Sequence, residues 1–190
     1  MMAPSITNPK IVVICGPTGL GKTSTAIELA ERFNAEIIGA DSMQIYRHMD
    51  IGTAKPTADE QMRVAHHLVD CADPDEDYDA ARYAKEAGAA IEALVKRDIL
   101  PFVVGGTGFY IKALLYGLFA GNSADDTVRQ RLKAEAAAIG LDRLYHRLQA
   151  CDPETAANIH PHDEFRILRA LEILEVTGQT PSECRQTHGF

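Results

Sequence analysis

The chain has 190 residues, 46% of them hydrophobic and 24% charged, and its formal net charge is −8. That balance suits one globular domain, or a domain with a helical appendage, and excludes a disordered chain. No apolar run approaches the roughly 20 residues needed to span a bilayer, and a net negative charge argues against non-specific attachment to nucleic acid.

The polar stretch Met1–Lys10 leads into the short apolar run Ile11–Cys15, which passes straight into a glycine loop. A run that short does not form a signal-peptide core, so a cytosolic protein is expected. Ile11–Cys15 does not alternate and predicts a first strand buried on both faces. A helix over Gly21–Phe33 follows, with Ile27, Leu29, Ala30 and Phe33 on or near its inward stripe. Glu36–Ala40 predicts a second strand and His67–Val69 a third. Past the acidic turn Asp73–Asp77, Tyr78–Arg97 predicts a long helix, Phe102–Val104 another buried strand, and Phe109–Leu118 a closing helix. Short apolar runs alternating with amphipathic stretches are the signature of a parallel α/β sheet.

The composition shifts at Ala120–Asp126, a linker signal and then a helix start with Asp126 or Ser123 as N-cap. Only helical patterns follow: Val128–Ile139, Asp142–Ala150, Pro153–Ile159 and Glu164–Val176, the last stopped at Thr177-Gly178. Charge is also uneven, with 11 Lys+Arg against 18 Asp+Glu up to Val128 but 8 against 9 from Arg129 onward. A polyanion would therefore approach the C-terminal part more easily.

Gly16-Pro17-Thr18-Gly19-Leu20-Gly21-Lys22-Thr23 satisfies G-x-x-x-x-G-K-[ST] between a predicted strand and a predicted helix. Glycines at these positions turn backbone N–H groups inward as an anion nest, and the helix adds its N-terminal dipole. Lys22 would reach terminal phosphate oxygens, and the Thr23 hydroxyl is placed for Mg²⁺. Neither Asn-Lys-x-Asp nor Asp-x-x-Gly of a GTPase occurs, whereas a P-loop kinase of a small molecule stays open. Asp41 ends the second strand and should face the crevice at the carboxyl rim of the sheet, as metal ligand, proton acceptor or turn cap. Gln44 beside it could read an adenine edge with both ends of its amide. The four cysteines lie far apart, and neither His66-His67 nor His160-x-His162 has a third partner at metal spacing, so no zinc site or disulfide is expected.

Several strings together resemble the tRNA dimethylallyltransferases, also called tRNA isopentenyltransferases. They are Asp41-Ser-Met-Gln-Ile-Tyr-Arg with Met49-Asp-Ile-Gly-Thr-Ala-Lys-Pro56, His66-His67-Leu68-Val69-Asp70 with Tyr78-Asp-Ala-Ala, Gly105-Gly106-Thr107-Gly108-Phe109-Tyr110-Ile111, and Asp163-Glu-Phe-Arg166-Ile-Leu-Arg169-Ala-Leu-Glu172. The match keeps its order from Ile11 to about Ser182. It implies a P-loop NTPase-like parallel sheet flanked by helices, with a helical insertion domain. Residues 1–120 would be the catalytic core, 121–178 the tRNA-contacting insertion, and 179–190 the start of a return segment.

The resemblance implies transfer of a dimethylallyl group from dimethylallyl pyrophosphate to the exocyclic amine of the adenine beside the tRNA anticodon. Asp41 would act as general base, and Thr107 would orient the amine or the leaving oxygen. The loop Gly16–Thr23 and Arg166 would hold the pyrophosphate with Mg²⁺ on Thr23. Contacts to the tRNA anticodon arm fall by the same resemblance on Asp41, Ser42, Met43, Gln44, Thr107, Arg129, Phe165, Arg166, Ile167, Leu168 and Arg169. A free-nucleotide isopentenyltransferase shares the loop and the aspartate, but the helical insertion with Arg129 and Arg166 favours tRNA. A monomer without membrane attachment is expected. Family members continue well past Gly178, so further C-terminal helices are expected to be missing here.

Overall fold

In the computed structural model, residues 9–118 and 125–188 are described. The chain divides into two compact units, residues 1–117 and 118–190.

The first unit is a parallel sheet with helices packed on it. Its strands are β1 (Val12–Cys15), β2 (Ala35–Gly39), β3 (His66–His67) and β4 (Leu100–Gly105), in the order β1-β4-β2-β3. Its helices are α1 (Lys22–Phe33), α2 (Ala58–Arg63), α3 (Ala80–Lys96) and α4 (Gly108–Tyr116). Side chains alternate across each strand, so one strand serves two cores. Ile37, Phe102 and Val104 pack with Ala26, Ile27 and Ala30 of α1. The intervening Ile38 and Val103 are fully buried, and α3 packs against β2 and β4. Tyr83 of α3 stacks on Tyr110 of α4 with ring centroids 4.5 Å apart.

The register puts the carboxyl ends of three strands on one rim, with Cys15 opposite Gly105 and Gly39 opposite Val104. Gly105 has no alternative residue there, because a Cβ would lie 2.1 Å from Ala40 O. β2 and β4 can therefore run side by side to the last residue before the site.

Some expectations shift. β1 is not buried on both faces: Val12–Ile14 are half-buried and Cys15 is exposed, since among the described residues β1 pairs with β4 alone. Phe33 is not on the inward stripe but 61% exposed, at the last position of α1 before the left-handed cap Asn34. The third strand is His66–His67, ended by Leu68 at φ 58°. Helix α2 was not expected, although Thr57 and Glu60 build a full capping box at its start.

The second unit is all helix: α5 (Asp126–Ile139), α6 (Leu141–Cys151), α7 (Pro153–Ala157), α8 (Glu164–Thr177) and α9 (Pro181–His188). Leu132, Leu144, Leu148, Ala156, Ile167 and Leu171 form its core. The N-cap of α5 is Asp125, which accepts from the Thr127 and Val128 N–H groups, in place of the expected Asp126. Ser123 and most of the expected linker lie outside the described residues. Gly178 caps α8 at φ 71°, as the sequence predicts.

Candidate active site

The loop after β1 carries three glycines at positive φ, Gly16 (154°), Gly19 (86°) and Gly21 (73°). These are the conformations that turn successive amides toward one point. Gly21 then caps α1 in the left-handed region, without a side-chain bond, so the first amides of α1 point into the loop. Lys22 Nζ donates to Pro17 O at 2.7 Å, folding the lysine over its own loop. Leu20 is exposed at the loop tip.

Beyond β2 the chain turns at Asp41, whose Oδ1 accepts from the Met43 N–H at 3.0 Å. Beyond β4 the segment Gly105-Gly106-Thr107 braces this turn. Thr107 N donates to Ala40 O at 3.0 Å, and Thr107 Oγ1 accepts from Ser42 N at 2.9 Å. Thr107 therefore fixes the backbone that aims Asp41. A Cβ at Gly106 would lie 3.5 Å from Gly16 O and 3.8 Å from Asp41 Oδ2, so this position sits between the loop and the carboxylate.

A cleft of about 250 Å³ opens on this rim, lined by Thr18, Gly19, Gly21, Lys22, Thr23, Asp41 and Gln44 among others. A glycine-rich anion cradle after β1 thus meets a carboxylate that follows β2, on the far side of β4. Ser24, Ala54, Glu60, Val104 and Gly105 line it as well, none of them anticipated. Glu60 was findable from the Thr-x-x-Glu spacing. Its carboxylate accepts from the Thr57 N–H, which with the Thr57 hydroxyl holds its pKa below the usual carboxylate range. Gln44 is already committed, because Nε2 donates to Thr53 O (3.0 Å) and Ala54 O (2.9 Å). It can therefore offer only its carbonyl oxygen, and reading a base with both ends of the amide does not fit. Met43 is 44% exposed and is not among the residues lining the cleft.

The remaining expected residues lie on the helical unit. Arg166 is exposed in the first turn of α8, 3.2 Å from Asp163 Oδ2. Phe165 is 74% exposed. Ile167 and Leu168, by contrast, are 0% and 3% exposed, so their side chains hold α8 in the core, with Leu168 still reaching the floor of a surface groove. Arg129 and Arg169 converge on buried Glu172, with Arg129 Nε 3.3 Å and Arg169 Nη1 2.9 Å from its oxygens. Both still line a groove of about 390 Å³ with Phe165 and Lys133, the last a cation that sequence reading passed over.

Fold and site define a P-loop α/β protein whose anion cradle faces an acidic side chain. A model of the IPP transferase family matches residues 44–189, and one of isopentenyl transferases matches residues 9–71. The chain belongs to the IPP transferase family. It is 57% identical over 184 residues to a tRNA dimethylallyltransferase of Desulfosudis oleivorans, covering 97% of this chain and 59% of that protein. It is 50% identical over 189 residues to tRNA dimethylallyltransferase 2 of Syntrophus aciditrophicus, covering 100% of this chain and 61% of that one. Among solved structures, a eukaryotic dimethylallyltransferase acting on tRNA superposes with a TM-score of 0.77 at 35% identity, over 95% of this chain and 45% of that one. The full-length tRNA isopentenylpyrophosphate transferase of Bacillus halodurans gives 0.58 at 46% identity, over 90% and 57%. The chain thus spans about three fifths of the length of the curated relatives it matches.

Proposed function

We propose that this chain carries the catalytic core of a tRNA dimethylallyltransferase, moving a dimethylallyl group from dimethylallyl pyrophosphate to N6 of the adenine adjacent to the anticodon. The observation that carries the reading is one cleft lined by Lys22, Thr23 and Asp41 together.

The P-loop amides hold the diphosphate, and Lys22 exchanges Pro17 O for a phosphate oxygen. Adenine N6 is a weak nucleophile because its lone pair is delocalised into the ring. As the N6–carbon bond forms and the allylic carbon–oxygen bond breaks, the electron pair leaves with pyrophosphate, whose growing charge the cradle stabilises. Asp41 accepts the N6 proton, a contribution on the order of 10²–10⁴ in rate. Thr107 keeps Asp41 aimed through Ser42 and Ala40. The target base must leave its stack to enter the cleft.

The Thr23 hydroxyl is a hard oxygen donor of the kind Mg²⁺ accepts. Among the described residues no group of three His, Cys, Asp or Glu builds a metal cage. A magnesium ion held by Thr23 and substrate phosphates, keeping its waters, fits that set and would neutralise the leaving diphosphate. On the helical part, residues 121–178, exposed Arg166, Phe165 and Lys133 would contact the anticodon arm, Arg166 by exchanging Asp163 for a backbone phosphate. The reading implies a cytosolic enzyme acting as a monomer. Among the described residues no helix is long and apolar enough to cross a membrane.

The test is incubation with labelled dimethylallyl pyrophosphate and Mg²⁺, offering unmodified tRNA in one reaction and AMP in another. Label in tRNA and not in AMP is expected. Label in AMP alone would establish the free-nucleotide activity instead, and ATP consumption without label transfer would point to a kinase.

A further inference from the structure

Lys55 is a lysine that the proposed chemistry does not use, yet its side chain is only 5% exposed. Its ammonium has three donors and three acceptors: Asp50 Oδ1 and Asp70 Oδ1, each at 2.7 Å, and Tyr46 O at 2.9 Å. The bonds to Tyr46 and Asp50 close the segment between Tyr46 and Pro56 on itself, helped by Thr53 Oγ1 donating to Met49 O, and the bond to Asp70 ties that segment to the stretch after β3. The residue before the lysine, Ala54, is held at φ 51°, a conformation uncommon outside glycine. Ala54 also lines the cleft. The product of this bracing is a pair of fixed carbonyls, Thr53 O and Ala54 O, and both accept from Gln44 Nε2.

Carbonyls only accept, so this pair decides which end of the Gln44 amide is nitrogen. Turning the amide over would lose two hydrogen bonds and set Oε1 against two oxygens. Gln44 Oε1 accepts no hydrogen bond among the described residues, and Gln44 lines the cleft together with Asp41. Adenine N6 carries two hydrogens, of which prenylation removes one.

We propose that Lys55 is a positioning residue that locks the Gln44 amide as an acceptor, so that Gln44 Oε1 holds the N6 hydrogen adenine keeps while Asp41 takes the one it loses. The proposal rests on the prenyl-transfer reading and deepens it into base selection. A base with a carbonyl at that position would bring two acceptors together and be rejected.

The test is a double-mutant cycle of Lys55→Met and Gln44→Leu, read by label transfer to unmodified tRNA, together with hydrogen exchange of the Gln44 side-chain amide by NMR. Methionine fills the same buried space without a charge, and Asp70→Asn serves as a milder second variant. In the unaltered chain the Gln44 amide should exchange at least about tenfold more slowly than a free glutamine, with partial loss in Asp70→Asn and full loss in Lys55→Met. Each single variant should lower kcat about 10–100-fold, the scale of a roughly 1 Å misplacement, with KM for dimethylallyl pyrophosphate unchanged. The double variant should be no slower than Gln44→Leu alone, because Lys55 acts through Gln44. Losses that multiply in the double variant, a rise in KM for the pyrophosphate, or a freely exchanging amide in the unaltered chain would each overturn the proposal. An unaltered chain that moves no label counts against the prenyl-transfer reading. Amide exchange then decides the lock alone: slow and Lys55-dependent supports it, fast overturns it.

Discussion

Gly105 and Gly88 show how differently two glycines can behave in one unit. A Cβ on Gly105 would lie 2.1 Å from Ala40 O and 2.3 Å from its carbonyl carbon, backbone atoms that cannot swing aside. Gly105→Ala should therefore push β2 and β4 apart at the rim, costing about 1–3 kcal/mol as overpacking does, and displace Asp41. A Cβ on Gly88, within α3, meets nothing within 4 Å, so Gly88→Ala should stabilise the chain by about 0.5–1 kcal/mol. Urea midpoints of the two variants should move in opposite directions; a shared direction would contradict the packing described here. At this scale the phosphate loop was legible because its parts are contiguous and each residue type has a separate duty. Gln44 was only half legible. Its place beside Asp41 could be read from sequence, but its orientation depends on Thr53 O and Ala54 O, brought to it by a loop that Lys55 closes.

Among the elements, α5 and α8 are joined by Glu172, which sequence alone marks only as one more acid on a helix. Burial by itself would raise its pKa, but the Asp125 N–H and the guanidinium groups of Arg169 and Arg129 outweigh burial and leave it below the usual carboxylate range. Asp152 is similar, with burial opposed by the Thr155 hydroxyl and N–H and by the Ser182 N–H. Carboxyls depressed in the folded state contribute stability that is present above the ordinary carboxyl pKa of about 4 and disappears as pH falls through the lower folded value. Glu172→Gln should thus destabilise the helical unit by about 1–3 kcal/mol at neutral pH, and the difference from the unaltered chain should shrink below about pH 4. Denaturant titrations at several pH values would check this, and a gap that widened in acid would contradict it. The long helices were legible through their periodicity and stop signals such as Gly178. α2 was missed because six residues without a buried side chain leave no apolar stripe to detect.

For the molecule as a whole, the parallel sheet was legible but the strand order was not. A run such as Phe102–Val104 declares that it is buried and says nothing about its neighbours, and β4 in fact separates β1 from β2. That insertion makes the site, because it sets Gly105–Thr107 between the phosphate loop and Asp41. The burial of β1 was overestimated for the same reason, since an apolar strand reads alike at an edge and in the middle. The partition of the arginines on the helical unit was hidden as well: Arg129 serves Glu172 from 43 positions away and Arg169 from three, while Arg166 stays at the surface. In the proposed reaction, cradle and carboxylate share one cleft but have separate duties. Asp41→Ala tests it most directly, with calorimetric binding of inorganic pyrophosphate and single-turnover prenyl transfer measured on the same preparation. Pyrophosphate affinity should stay within about threefold while transfer falls by at least about 10². Collapse of pyrophosphate binding, with transfer per bound donor preserved, would contradict it.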